Sequence, residues 1–201
     1  METYENIILN IEELINFFKG IGFQAQVKSH LEDDYLSAHQ FYEDYKRNPS
    51  GKFDDRGRRA LGGLFELYKW VWSVKNCAEF NKLIPHLKLL IEASPRINST
   101  TPMISPVTKK QDDKTNKFVE AIVGMFAVKY GFDVDLDDPV SSSDGRNPDV
   151  IFTYGGERIS IACKTLRGDS LGTLLSNIKS AAKQIKRADC DKGYILISMI
   201  I

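Results

Sequence analysis

The sequence has little cysteine and no long apolar run. Its three cysteines, Cys77, Cys163 and Cys190, are scattered along the chain, so they predict reduced thiols rather than a disulfide framework or a zinc site. The apolar stretch at 194–201 is far shorter than the roughly 20 residues that a membrane-spanning helix needs. The N-terminus lacks the basic region and apolar stretch of a secretory signal. These absences predict a cytoplasmic protein with no membrane partner.

The sequence also lacks net charge and the common nucleotide-binding motifs. Its 27 basic and 27 acidic residues cancel, so a nucleic-acid partner would have to be met by a local patch. Neither GxxxxGK[ST] nor GxGxxG occurs, which argues against nucleotide hydrolysis. His30, His39 and His86 all fall in the half that we predict to be helical, which argues against a histidine-based nucleophile system or a zinc hydrolase.

What is present is the composition of a folded protein in two parts. Apolar residues recur at helical spacing from Asn6 to about Glu92 and predict a bundle of four helices. Residues 93–113 are rich in Ser, Thr and Pro, which is typical of a linker. We therefore predict a helical domain at 1–92, for recognition, oligomerisation or partner binding, and a second domain at 114–201.

The second domain mixes helical and strand patterns. The predicted elements are a helix at Thr115–Tyr130, two short strands before Lys164, a helix from about Leu171 to Ala188, and a last strand at Tyr194–Ile201. The expected fold class is α+β with two domains, in which a helical bundle precedes an αβ core with a mixed central sheet.

Residues 149–164, DVIFTYGGERISIACK, predict a β-hairpin. Gly155-Gly156 suits a two-residue turn that needs positive φ, and the resulting register places Asp149 opposite Ala162. Alternation of side chains then gives Asp149 and Lys164 one polar face, where they could bracket a small ligand such as a metal-bound phosphate. The alternative is a solvated face with a loose surface ion pair.

The helix before the hairpin carries one acid that strengthens the case for a site. Glu120 is the only acidic residue in 118–128, and Gly124 and Ala127 follow it on the same helical stripe. Small residues on that stripe permit close approach of the helix to its neighbours. A carboxylate so placed is expected to face inward.

These residues together resemble the PD-(D/E)XK, or restriction-endonuclease-like, nuclease superfamily. The similar features are a helix with an inward glutamate, the pair Pro148-Asp149, a hairpin, and a strand that ends in Lys164. The resemblance covers about residues 115–201 and includes the later helix with Gln184 and a final apolar strand.

The resemblance implies a metal-dependent nuclease that uses magnesium or manganese. It assigns Asp149 as the main metal ligand, the backbone carbonyl of Cys163 as a further ligand, and Glu120 as a ligand of a metal or of its water. Lys164 would orient the attacking water and stabilise charge on the phosphate. Gln184 would be a catalytic residue of the later helix.

One position departs from the pattern. Ala162 stands where the superfamily has its second acid, and alanine can neither ligate a cation nor carry charge. Two explanations remain open: an engineered inactive variant whose parent has an acid there, or a natural sequence whose remaining carboxylates suffice.

A basic stripe predicts where DNA would bind. Lys179, Lys183 and Lys186 share one helical face, with Arg167 and Arg187 nearby. An ordinary polar face of an amphipathic helix would give the same pattern.

Two functions follow as expectations. The first is a metal-dependent endonuclease acting on DNA, most simply double-stranded, in prokaryotic restriction or anti-phage defence. It could act as a homodimer or with a partner protein bound through the helical domain. The second is a non-catalytic nuclease-fold module that binds nucleic acid or serves as a protein scaffold. A third interpretation is a protein-interaction domain with no nucleic acid, which predicts no salt-dependent DNA binding.

Overall fold

The protein has an α+β fold in which helices precede a four-stranded mixed sheet. The computed structural model describes residues 2–23, 27, 29–90, 114–139, 147–167 and 170–200, and the predicted linker lies outside them. The helices are α1 (Tyr4–Gly20), α2 (His30–Arg47), α3 (Asp55–Val74), α4 (Ile84–Leu90), α5 (Lys114–Tyr130) and α6 (Leu171–Arg187). The strands are β1 (Phe132–Leu136), β2 (Val150–Tyr154), β3 (Glu157–Arg167) and β4 (Lys192–Ile200). No helix in these ranges is long and apolar enough to cross a membrane.

The first compact unit contains α1, α2 and nearly all of α3. Two side chains cap its helices: the Thr3 hydroxyl accepts from the backbone N–H of Asn6 at 3.2 Å, and the Ser29 hydroxyl accepts from that of Glu32 at 3.2 Å. The apolar stripes predicted from the sequence supply the fully buried side chains of Ile11, Leu14, Leu31 and Leu64, and Leu67 is fully buried beside them.

The second compact unit contains Val74–Leu89 and the described residues from Asn116 onward. It therefore includes a 3₁₀ turn at Phe80–Leu83 and most of α4, which the sequence assigned to the helical domain. The Glu79 carboxylate accepts from the backbone N–H of Val134 at 3.1 Å, and Lys82 donates to the carbonyl of the same residue. These bonds to β1 attach the turn to the sheet, so the domain boundary is not a simple cut along the chain.

The sheet has the order β1-β2-β3-β4, and only its last pair is parallel. The predicted hairpin is confirmed: Tyr154 pairs with Glu157 and Val150 with Ile161, as the turn dictates. Gly155 and Gly156 have φ of 60° and 83°, which an L side chain rarely adopts. Strand β1 is an addition to the predicted elements.

Helices α5 and α6 lie on opposite faces of this sheet. Phe126 of α5 meets Phe152 edge-on, with ring centroids 6.5 Å apart. Ile185 of α6 lies so close to Gly193 that a Cβ there would be 2.0 Å from its Cγ2. Gly193 pairs with Ser160, whose side chain lies on the face of the sheet opposite to that of Phe152. The sheet is therefore covered by a helix on both sides. The polar face predicted from the sequence is therefore not solvated at Ser160 and Ala162, which are fully buried.

Candidate functional site

Asp149 lies immediately before β2 and is held by three hydrogen bonds. Its backbone N–H donates to the Ile161 carbonyl at 3.1 Å, and its own carbonyl accepts from the N–H of Asp137 at 3.0 Å. Its Oδ2 accepts from the Cys163 N–H at 2.6 Å. The side chain thus accepts a hydrogen bond from the backbone of β3. The residue is only 6% exposed. Asp149 is fixed in position by the hairpin that the sequence predicts.

Glu120 lies on α5 and is 7% exposed, as its place on the helical stripe predicts. Its partner is Lys117, one turn earlier, whose Nζ lies 3.0 Å from Oε1 and 2.8 Å from Oε2. Both carboxylate oxygens are therefore engaged by one ammonium group. Lys117 was not among the residues that the sequence singled out.

Both carboxyl groups have raised pKa values, and the charge of Asp149 acts on Glu120. Burial, and then the charge of Asp149, raise the pKa of Glu120 to about 7, against the lowering effects of Lys117 and Lys164. Burial also raises the pKa of Asp149, although Lys164 and the Cys163 N–H oppose the shift. Acids with raised pKa values beside cationic partners are typical of functional sites, because ordinary folding avoids the cost of burying them.

Lys164 belongs to the same electrostatic cluster. Its side chain is half-buried, and its charge lowers the pKa values of both Asp149 and Glu120. The structure therefore brings together the three charged residues that the sequence predicted, namely Asp149, Glu120 and Lys164. Their roles in chemistry stay predictions.

Cys163 contributes through its backbone and not through its thiol. The side chain is buried, and burial, followed by the charges of Asp149 and Glu120, raises the pKa of the thiol. A thiol with a raised pKa is inert as a nucleophile, in agreement with its predicted place on the apolar face. The N–H orients Asp149, whereas the proposed metal-ligand role of the carbonyl stays a prediction.

Ala162, at the predicted position of the second acid, is 0% exposed. It pairs with Ile195 of β4 in the parallel part of the sheet. A carboxylate at this position would be buried as well as charged, and would need a cation or a hydrogen-bond donor as partner.

Gln184 is buried at 2% exposure and points toward the loop before Asp149. Its Nε2 donates to the Asn147 carbonyl at 2.8 Å, while its Oε1 has no hydrogen-bond partner in the described part of the chain. Through this hydrogen bond, Gln184 helps to position the Pro148-Asp149 segment that follows Asn147. Its predicted catalytic role is untested by this contact.

The basic stripe of α6 lies in solvent. Lys179, Lys183, Lys186 and Arg187 are all exposed, while Ala181 and Gln184 form the buried side of the helix. The side chain of Arg167 lies outside the described residues. Contact with DNA phosphates requires exposed side chains. The lysines of an ordinary polar helix face are exposed as well, so exposure does not distinguish the two interpretations.

His86 lies in the same unit as this cluster, not in the helical unit to which the sequence assigned it. It is 2% exposed, and neither ring nitrogen has a hydrogen-bond partner within the described ranges. Burial, and then the charge of Lys117, lower the pKa of His86 to about 4, against the opposing effect of Asp138. The imidazole is therefore neutral near pH 7.

The carboxylates of this cluster are donors of the type that suits a hard divalent cation. Asp149 and Glu120 offer carboxylate oxygens, the donors that magnesium and manganese prefer. Burial and then the charge of a neighbouring acid, Asp149 for Glu120 and Asp137 for Asp149, raise the pKa values of these two carboxyl groups, and a bound cation would offset both effects. Among the described residues, no group of three or more His, Cys, Asp or Glu side chains is arranged to hold a metal.

Comparison of the chain with protein-family models, with curated proteins and with solved structures finds no match. Function is therefore inferred from the geometry and charges of the cluster around Asp149.

Proposed function

We propose that the second unit is a metal-dependent phosphodiesterase centre that acts on DNA, and that Asp149, Glu120 and Lys164 form it. The observation that carries this proposal is the convergence of two buried acids with raised pKa values and a lysine, which come from α5, from the residue before β2 and from β3. Residues this far apart in sequence, gathered at such an energetic cost, favour a functional role over a structural one.

The arrangement of elements also supports the proposal. The PD-(D/E)XK nucleases that the sequence resembles have a helix, a hairpin, a helix and a strand in that order. The same order is followed here by α5, the β2–β3 hairpin, α6 and β4. Similarity of fold alone leaves the activity open, so the charged cluster is the stronger support.

The chain's own residues would divide the work as follows. Asp149, oriented by the Cys163 N–H, and Glu120 would hold the cation. A bound magnesium or manganese ion would polarise the scissile phosphate and lower the pKa of a coordinated water. Lys164 would hold the attacking water by hydrogen bonding and offset the charge that develops on the phosphate. The exposed lysines of α6 would hold flanking phosphates without reading sequence.

A second candidate is a nuclease fold that binds DNA without cutting it. The observation that favours it is Ala162, which leaves the predicted acidic position without a carboxylate. Loss of one ligand weakens a site for a cation that gives up its water reluctantly. Binding through the α6 lysines would not need the cation.

A plasmid-cleavage assay in magnesium and in manganese tests the two candidates. The variants are Asp149→Asn, Lys164→Met and Ala162→Glu, with Lys129→Met as a control, because Lys129 is exposed on α5 and lies over the Tyr130 ring. The first candidate predicts cleavage by the unchanged chain that Asp149→Asn and Lys164→Met abolish and Lys129→Met preserves.

Other outcomes separate the alternatives. Cleavage only by Ala162→Glu would identify a nuclease centre that this alanine disables. No cleavage, together with DNA binding that falls steeply with salt, would establish the binding module. Neither cleavage nor a mobility shift of DNA at low salt would overturn both candidates.

A further inference from the structure

Lys117 occupies the position at which a cation would meet Glu120. Its ammonium group lies within 3.0 Å of both carboxylate oxygens, and the two side chains are only 20% and 9% exposed. A surface ion pair is easily broken by solvent, whereas a pair this buried holds one geometry and is costly to separate. The pair is therefore a fixed part of the cluster.

The surroundings of Lys117 keep it charged. Burial by itself lowers the pKa of Lys117, but the neighbouring carboxylates, Glu120 first, raise it above its ordinary value. Asp149 and Asp137 are among those carboxylates, so the ammonium compensates more than one acid. His86, which is close enough for its pKa to respond to Lys117, is neutral and adds no competing positive charge.

We propose that Lys117 is a built-in counter-ion that competes with a divalent cation for the Glu120 and Asp149 carboxylates. This inference rests on the proposed function, because it concerns the cation of that same site. A divalent ion and an ammonium group cannot share these oxygens without strong repulsion at the short distances involved. Cation binding must therefore displace Lys117 from Glu120, and the site holds a cation more weakly than its carboxylates alone would.

The alternative is that Lys117 helps the cation by holding Glu120 in place. The two possibilities predict opposite effects of removing the charge. If Lys117 competes, a neutral side chain of similar length frees the carboxylate and tightens binding. If Lys117 only positions Glu120, the same change loosens or preserves binding.

Manganese binding to the full chain, measured by isothermal titration calorimetry and by electron paramagnetic resonance, tests this. The variants are Lys117→Met, which keeps the length of the side chain, and Lys117→Arg, which keeps the charge. Lys129→Met is the matched control on the same helix. Circular dichroism and thermal melting establish that each variant is folded.

We expect Lys117→Met to bind manganese about tenfold more tightly or better, which corresponds to about 1.4 kcal/mol. Lys117→Arg should bind no more tightly than the unchanged chain, and Lys129→Met should equal it. Adding Asp149→Asn to Lys117→Met should remove the gain, which places the bound ion at this cluster.

Unchanged or weaker binding by folded Lys117→Met would overturn the competition and leave the proposed metal site intact, provided that the unchanged chain binds. Binding by Lys117→Met alone would be the strongest support. No binding by any variant at millimolar manganese would overturn this inference together with the metal-dependent function.

Discussion

His86 offers a direct test of how the second unit is stabilised, and we expect His86→Leu to remove a specific acid sensitivity. The imidazole is buried in α4, and neither of its nitrogens has a hydrogen-bond partner in the described structure. A buried polar group without a partner destabilises the fold already when it is neutral. Protonation would add a buried charge. Leucine has a similar size, and it brings neither an unpaired polar group nor a charge into the buried site.

The magnitude follows from the pKa. In the unfolded chain the imidazole titrates near its ordinary value of 6.5, whereas burial, and then Lys117, lower the pKa of the folded state to about 4. The unfolded state therefore binds the proton first as the pH falls. The contribution of this pKa difference to the free energy of unfolding is fully present above pH 6.5 and is lost as the pH falls toward 4. At about 1.4 kcal/mol for each pH unit, the loss is roughly 3 kcal/mol.

Urea unfolding of the unchanged chain and of His86→Leu, from neutral pH to about pH 4, measures this difference. The raised pKa of Glu120 acts with the opposite sign in both proteins, so only the difference between the two curves isolates His86. Asp138→Asn is the control of opposite direction: Asp138 raises the pKa of His86, so its removal should enlarge the loss. Parallel curves for the unchanged chain and His86→Leu across this range would refute the reasoning.

Three glycines give further predictions for unfolding experiments. Gly57→Ala should destabilise the chain by about 1–3 kcal/mol, because its Cβ would lie 2.6 Å from the Cβ of Phe41 and 2.8 Å from the Ser37 carbonyl. Gly62→Ala, in the same helix and with nothing within 4 Å, should stabilise it by about 0.5–1 kcal/mol, and a loss there would contradict the packing of α3. Gly193→Ala should destabilise by a similar 1–3 kcal/mol, since its Cβ would meet Ile185, and adding Ile185→Ala should recover part of the loss; additive effects would show that the two sites do not touch.

The parts of the fold that depend on neighbouring residues were predictable from the sequence. The hairpin register followed from the two-glycine turn alone, and α5 and α6 agree with their predicted spans to within a residue or so. Strand β1 carried a signal that was missed: Phe132, Val134 and Leu136 alternate with aspartates at the period of a strand. Within α3, a Cβ at Gly57 would be crowded whereas one at Gly62 would meet nothing within 4 Å, and the helical periodicity of the sequence does not show this difference.

The placement of α4 could not be predicted by the same means. Composition marks a boundary where the chain turns polar, and that change comes after α4. What joins the turn before α4 to the second unit is a set of bonds from Glu79 and Lys82 to Val134, more than fifty residues later. Long-range pairs of this kind leave no periodic pattern. His86 was assigned to the wrong unit for the same reason.

The charged cluster shows why the spacing of acids alone was an incomplete guide. Glu120 was found as an isolated acid on a small-residue stripe, but Lys117, three residues earlier on the same helix, was not singled out. With both acids ionised, Glu120 and Asp149 carry two negative charges, and Lys117 and Lys164 carry two positive ones. The two lysines therefore offset the charges of these two acids without a cation, while Asp137 adds a further negative charge that acts on both Lys117 and Asp149.

This compensation of charge links Lys117 to Ala162. A carboxylate at position 162 would make the cluster one charge more negative, and loss of Lys117 would have the same electrostatic effect. Both changes favour a divalent cation, because each lowers the net positive charge that the buried cluster must hold once the ion is bound. Ala162→Glu and Lys117→Met should therefore each tighten manganese binding, and together they should tighten it further. A gain from Ala162→Glu but none from folded Lys117→Met would mean that a missing ligand limits this site, and not the charge already present.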